Sequence, residues 1–182
     1  MIKILGISGS LRRASFNTAL LHAAPPLLPE GASLEFHAGL RDIPPYDEDV
    51  RQAGFPAVVA ELRQSVRDAD ALLIATPEYN RSISGVLKNA IDWVSRPPDQ
   101  PFNGKVVAIM GASPGALGTG LAHYHLRQVL STLGAYAVPG AEMLVGNAAT
   151  KFDASGALTD DPTRVHLQKL LNQLVVLAGR LR

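Results

Sequence analysis

The sequence predicts an α/β fold: a parallel sheet covered on both faces by helices. Three observations carry this. Apolar runs of strand length alternate with amphipathic helical stretches along the chain. The strongest runs, such as Ile2-Lys3-Ile4-Leu5-Gly6-Ile7, are almost continuously apolar, as expected when neither sheet face meets water. Three of the runs also end in loops of glycine, proline and hydroxyl residues, which is where ligands of such sheets lie.

The first strand, Ile2 to Ile7, opens into Ser8-Gly9-Ser10-Leu11-Arg12-Arg13-Ala14-Ser15-Phe16-Asn17. Gly9 lets the backbone turn and bring its N–H groups close to an anion. Ser10, Ser15 and Asn17 can donate side-chain hydrogen bonds, and Arg12 or Arg13 can add a charge-assisted one. A helix follows from about Ser15, so its first N–H groups face the same spot. This donor set suits a phosphate monoester. The same residues also satisfy a plain strand-to-helix turn with Ser15 as cap. Neither G-x-x-x-x-G-K-[ST] nor G-x-G-x-x-G is present, so a terminal monophosphate fits better than a triphosphate or a dinucleotide bridge.

Pro25-Pro26 should stop that first helix at about Ala24, because two rings without N–H groups cannot continue it. Ser33 to His37 alternates and reads as a more exposed second strand. The segment Arg41 to Tyr46 reads as a surface loop. A helix from Pro56 to about Arg67 carries Val59, Leu62 and Val66 on one face, and Ala69 to Ala75 forms the third strand. After it comes Thr76-Pro77-Glu78-Tyr79-Asn80-Arg81-Ser82-Ile83-Ser84. There Pro77 stiffens the exit, Tyr79 offers an amphipathic ring, and Asn80 offers both a donor and an acceptor to a heterocycle edge. Ser84 caps a helix bearing Leu87, Ile91 and Trp93, on which Lys88 and Asp92 form a surface pair without chemistry.

Val106 to Met110 is the fourth strand, ending in Gly111-Ala112-Ser113-Pro114-Gly115. A long helix runs from about Gly118 to its stop at Gly134, and Ala135 to Ala141 makes a short fifth strand. Pro162 starts a last helix with Leu167, Leu170, Leu171, Leu174 and Leu177 at helical spacing. This stripe and the segment around Trp93 are candidates for a contact between subunits, core packing being the other reading of Trp93.

The chain of 182 residues, 47% apolar, fits a single domain over its whole length. It has no cysteine, which excludes disulfides, thiolate nucleophiles and cysteine-ligated metal. The start runs directly into a strand, so neither a leader nor a membrane segment is expected, and the expected location is cytoplasmic. A net charge of +1 and 5% aromatic residues argue against nucleic acid as a partner. His123 and His125 stand two apart on a helix and do not face one another, which is poor spacing for a metal. In Gly111-Ala112-Ser113-Pro114-Gly115, the proline after Ser113 removes the N–H that an oxyanion would need, so hydrolysis is disfavoured.

The stretches GSLRRASFN, TPEYNRSISGVLKNAIDW and SPGALGTG resemble the NADPH-dependent FMN reductase family, a flavodoxin-like group that includes quinone, chromate and azo-compound reductases. The similarity runs from Ile2 to about Asp161. It implies a flavodoxin-like three-layer sandwich with a five-stranded parallel sheet in order 2-1-3-4-5. It also implies noncovalent FMN, NADPH or NADH as cosubstrate, a small-molecule acceptor such as a quinone, free flavin, chromate or azo compound, and a homodimer or homotetramer. By motif, Ser10, Arg12, Ser15 and Asn17 resemble the phosphate site, Pro77, Glu78, Tyr79 and Asn80 the isoalloxazine loop, and Ser113 and Gly115 the third flavin-contacting turn. Thr119 departs from the pattern, standing where similar proteins often have consecutive glycines. With hydride chemistry carried by a flavin, no side-chain catalytic set is expected. The alternative is a flavodoxin-like electron carrier without its own NAD(P)H site.

Overall fold

The computed structural model describes residues 1–140 and 142–182. In chain order the elements are β1 (Ile2–Ser8), α1 (Phe16–His22), β2 (Ala32–Phe36), α2 (Glu48–Ala53), α3 (Ala57–Asp68), β3 (Ala71–Ala75), β4 (Glu78–Tyr79), β5 (Ser82–Ile83), α4 (Gly85–Val94), β6 (Val106–Ala112), α5 (Gly120–Thr132), β7 (Tyr136–Ala137), β8 (Met143–Val145) and α6 (Asp161–Arg180). The main sheet runs β2-β1-β3-β6-β7, with β8 also paired to β6. Every pairing in it is parallel. This is the flavodoxin-like order 2-1-3-4-5.

Alternation along the strands divides the core into two halves. Ile4, Leu73, Ala108 and Met110 face α1 and α6, where Leu20, Leu21, Leu167, Leu170 and Leu174 pack on them. Leu5, Ile7, Leu72, Ile74, Val107 and Ile109 face α3, α4 and α5, and meet Leu62, Val66, Leu87, Trp93, Leu126 and Leu130. Every residue of β3 and β6 is buried, whereas β2 at the edge is partly exposed. Covering both faces is what makes the central runs continuously apolar in the sequence. Among the described residues, no helix is long and apolar enough to cross a membrane.

The structure corrects two expectations and adds one helix. The fifth strand is not one run. Its position at the sheet edge is shared by β7, opposite Val106 and Val107, and β8, opposite Met110 to Ala112. Pro139 lacks a ladder donor and Gly140 has φ 74°, so pairing breaks between the two pieces. Ala141, the last residue of the expected strand, lies outside the described residues.

Trp93 does not face a subunit boundary: it is fully buried, its Nε1 donates to the Pro44 carbonyl at 2.8 Å, and Tyr46 packs edge-on at 4.9 Å. The α6 leucines are likewise inside this chain's own core. Finally, α2 follows the expected loop Arg41–Tyr46. Asp47 caps it, but its six residues bury nothing and so leave no apolar period to read.

α1 does stop short of the prolines, and Pro25–Leu27 makes a separate 3-10 turn.

Candidate active site

Ser8, Ala75 and Met110 are direct neighbours in register; β1 and β3 end at this level and β6 runs two residues further, to Ala112. With strands spaced by about 4.8 Å and a rise of about 3.3 Å per residue, the three loops that follow start within about 12 Å of one another. Sequence-distant segments are thereby gathered at one end of the sheet, and hydrogen bonds fasten them together. Gly9 N donates to the Ala75 carbonyl at 2.8 Å, and Ser84 Oγ donates to the Gly9 carbonyl at 2.6 Å. Thr76 N donates to the Met110 carbonyl at 2.9 Å.

In the first loop, Ser15 caps α1 by accepting from Thr18 N at 3.3 Å. Ser8 Oγ lies 2.8 Å from Thr18 Oγ1 and accepts from Ser10 N, while Ser10 Oγ accepts from Arg12 N. These short-range bonds fold the loop back on itself and leave Arg12 and Arg13 exposed. The backbone N–H groups of Leu11, Arg13, Ala14, Ser15, Phe16 and Asn17 have no partner among the described residues. A concave run of unpaired donors flanked by hydroxyls and guanidinium groups is the donor chemistry of a phosphate site.

Asn17 is only 4% exposed. Its Oδ1 accepts from Ala112 N at 2.9 Å and its Nδ2 donates to the Ala112 carbonyl at 3.0 Å. The side chain therefore ties the first loop to the end of β6 and keeps one amide hydrogen free.

The second loop is a hairpin. β4 and β5 pair antiparallel, Glu78 with Ile83 and Tyr79 with Ser82, leaving Asn80 and Arg81 as a two-residue turn. Both have positive φ, 50° and 65°, which is the type I′ geometry that suits a hairpin twist. Glu78 folds down onto α5, accepting from Leu121 N at 2.9 Å and Ala122 N at 3.0 Å. Ser82 Oγ meets His125 Nδ1 at 2.9 Å. The hairpin is thus clamped to α5 at two points, and Tyr79 is left 53% exposed at the rim. Pro77 packs against Gly9, where a Cβ would sit 3.3 Å from the proline ring and 3.2 Å from Leu87.

The third loop is held by Ser113 N to the Val145 carbonyl at 2.9 Å and by Gly115 N to Ser113 Oγ at 3.2 Å. Gly115 has open space around it, a Cβ there meeting only Ser113 Oγ at 3.6 Å. Thr119 is fully buried, wedged against Gly111, where a Cβ would lie 2.0 Å from its Oγ1. It fills the floor beneath the site and does not narrow its mouth. His123, one turn further on, is 1% exposed with neither ring nitrogen partnered among the described residues, and burial holds its imidazole down at about 4. The two histidines of α5 point to different places: His125 to the hairpin, His123 to the interior.

The matching family model is that of the NADPH-dependent FMN reductases, and it spans residues 2–150. The chain belongs to this family. It is 52% identical over 181 residues to an NAD(P)H-dependent FMN reductase of Pseudomonas aeruginosa, covering 100% of this chain and 97% of that protein. It is 44% identical over 170 residues to a quinone reductase of Escherichia coli, covering 91% and 89%. The solved structure of FerB, a flavoenzyme NAD(P)H:(acceptor) oxidoreductase from Paracoccus denitrificans, superimposes with a TM-score of 0.89 at 32% identity, covering 99% of this chain and 98% of that one.

Ser10, Arg12, Ser15 and Asn17 stand together on the first loop, Pro77 to Asn80 on the second, and Ser113 and Gly115 on the third. Ser84 was legible in the sequence only as a helix cap, and its bond to Gly9, 75 positions away, left no local signal.

Proposed function

We propose that the chain is an FMN-dependent NAD(P)H oxidoreductase that passes electrons to a small-molecule acceptor of the quinone or free-flavin type. The observation that carries the reading is the first loop, with its unpaired N–H groups opening at the same end of the sheet as the hairpin and the third loop. Ser10, Arg12 and Ser15 would hold the FMN phosphate, with Asn17 fixing that loop to β6. Pro77, Glu78, Tyr79 and Asn80 would frame the ring system, Glu78 by anchoring the hairpin on α5 rather than by contact. Ser113 and Gly115 would border it from the third loop. FMN held by these residues would supply the hydride-accepting and electron-passing chemistry between NADPH or NADH and the acceptor.

The protein's part is placement. The hairpin clamped to α5 would hold Pro77 and Asn80 in place beside a bound ring, and the open space at Gly115 would leave room for the second reactant. The quinone acceptor named for the Escherichia coli relative fits such an open, unspecialised face. Around this mouth Tyr79, Leu117, Leu121 and Tyr124 are exposed at 53%, 87%, 39% and 62%. Apolar exposure of that extent beside a site supports a homo-oligomer in which a second copy covers the rim. Sedimentation or light scattering measures this directly, and a strictly monomeric mass would contradict it.

The test of the function is anaerobic addition of NADPH, and separately NADH, to FMN-loaded protein. Bleaching of the flavin absorption, followed by recovery on adding a quinone, is the expected result. Protein that holds FMN but is reduced by neither nucleotide would be an electron carrier instead.

A further inference from the structure

Beside the three loops lies a groove that the flavin reading uses only at one end, where Arg13, Ala14, Ser15 and Phe16 line it. It is a cavity of about 680 Å³ between the outer face of α1 and the turn Asp153–Leu158, and it starts at Arg13 and Ser15 of the first loop. Its size falls in the range of small-molecule sites, about 300–1,000 Å³. Phe16, His22, Pro26 and Leu158 give it an aromatic and apolar wall, while Arg13 and Arg164 bring two guanidinium groups.

Arg164 is positioned by its bond from Nη2 to the Leu158 carbonyl, and its Nε is 3.9 Å from the exposed carboxylate of Asp161. Arg13 is exposed. The carboxylate in the lining, Asp153, turns its Oδ1 into its own loop, where Ser155 Oγ, Ser155 N and Ala157 N donate to it. Those donors hold Asp153 below the usual carboxylate range, so it remains a fixed charge engaged with the turn.

A bare phosphate would leave the apolar wall unused, and a neutral apolar ligand would leave two guanidinium groups facing it. A ligand with both an anionic group and a flat heterocycle uses the whole groove, since guanidinium groups pair with phosphate and planar rings lie on aromatic and alkyl surfaces. Continuity supplies the rest. The sequence favours a terminal monophosphate because the loop itself lacks the glycines of a dinucleotide bridge, but the groove opens outside that turn, at Arg13, Ala14 and Ser15, so a second phosphoryl group joined to a flavin phosphate there would extend into its Arg13 end. We propose that this groove is an adenosine-phosphate subsite, and that it receives the AMP half of FAD, so that the chain holds FAD as well as FMN. The FAD assignment rests on the reading of the first loop as a flavin-phosphate site; the subsite itself rests on the cavity.

The experiment uses AMP as probe on the full chain, and FMN and FAD on flavin-free protein, each by calorimetric titration. The wild-type chain is compared with Ala157→Trp, whose exposed side chain fills the groove, and with Arg164→Gln. Saturable AMP binding is expected, with FAD affinity within about tenfold of FMN. Either variant should weaken AMP and FAD by about tenfold or more and leave FMN within about twofold. Two independent variants, one on the turn and one on α6, keep the test intact if one fails to fold. Absence of AMP binding, or FAD weakened no more than FMN, would overturn the proposal.

NAD(P)H also carries an adenosine phosphate, so KM for NADPH is measured on the same variants. A tenfold rise there with FAD affinity unchanged would give the groove to the cosubstrate and end the FAD assignment. AMP binding without FMN binding would overturn the flavin reading of the first loop and the FAD assignment with it, leaving the subsite alone.

Discussion

Replacing His123 with leucine should make the protein less sensitive to mild acid. The wild-type imidazole is 1% exposed, has no hydrogen-bond partner among the described residues and is held at about 4 by burial, with the Arg127 charge adding to the effect. Unfolded, it returns to the ordinary value of 6.5. Above that value both states are neutral and the group contributes nothing to pH dependence. As pH falls below 6.5 the unfolded state takes up a proton that the folded state refuses, so stability is lost until about pH 4.

At pH 5 the loss amounts to about 2 kcal/mol, and it approaches about 3 kcal/mol at the lower end. For a chain of this size that is a fall in Tm of about 4–8 °C between pH 7 and pH 5. Thermal unfolding of wild type and His123→Leu across this range isolates the contribution, because His37 and the carboxylates are common to both. The Tm difference between the two proteins should shift in favour of the variant by that amount. Parallel curves, within about 1 °C, would show that the buried imidazole is not the acid-sensitive group, and the reasoning from its burial would be wrong.

Asn17→Ala leaves the N–H and carbonyl of Ala112 without partners in a buried position, at a cost of about 2–3 kcal/mol, seen as a lower urea midpoint; an unchanged midpoint would mean the link is not made. Arg63 is 2% exposed, stacks on Phe55 at 4.1 Å and donates to the carbonyls of Val94, Arg96 and Pro98 at 2.5–2.7 Å. Arg63→Met should therefore cost about 3 kcal/mol or more in the same denaturation assay, since several carbonyls lose their donor together. Arg81→Gly should stabilise the chain by about 0.5–1 kcal/mol, because residue 81 has φ 65° in a turn whose second position favours glycine. A lower Tm for that variant would contradict the type I′ assignment.

The central strands were legible because burial on both faces forces a continuous apolar run, and β1, β3 and β6 lie close to where the run lengths place them. Ser15 and Ser84 were legible as caps because a hydroxyl just before an apolar period has a local cause. The hairpin Glu78–Ile83 was not, since two-residue strands carry no period. The split of the fifth strand was missed because Pro139 and Gly140 break a ladder whose pairing partner lies on another strand.

Within the site, residue types were readable and their partners were not. Asn17 looked like a ligand donor, yet most of its amide serves Ala112, 95 positions away. Glu78 read as part of the ring-binding loop, and its carboxylate is also the acceptor that caps the first turn of α5. Thr119 read only as a departure from consecutive glycines, and its side chain is buried against Gly111. Each of these depends on contacts made only once the sheet has assembled.

The account stands or falls on what the first loop binds. Flavin-free protein titrated with FMN and with riboflavin, which differ only by the phosphate, measures this most directly. The unpaired N–H groups together with Ser10, Arg12 and Ser15 predict that FMN binds about 100-fold more tightly or better, about 2.7 kcal/mol. Equal affinities would contradict the assignment of that loop, and with it the placement of the cofactor across the three loops.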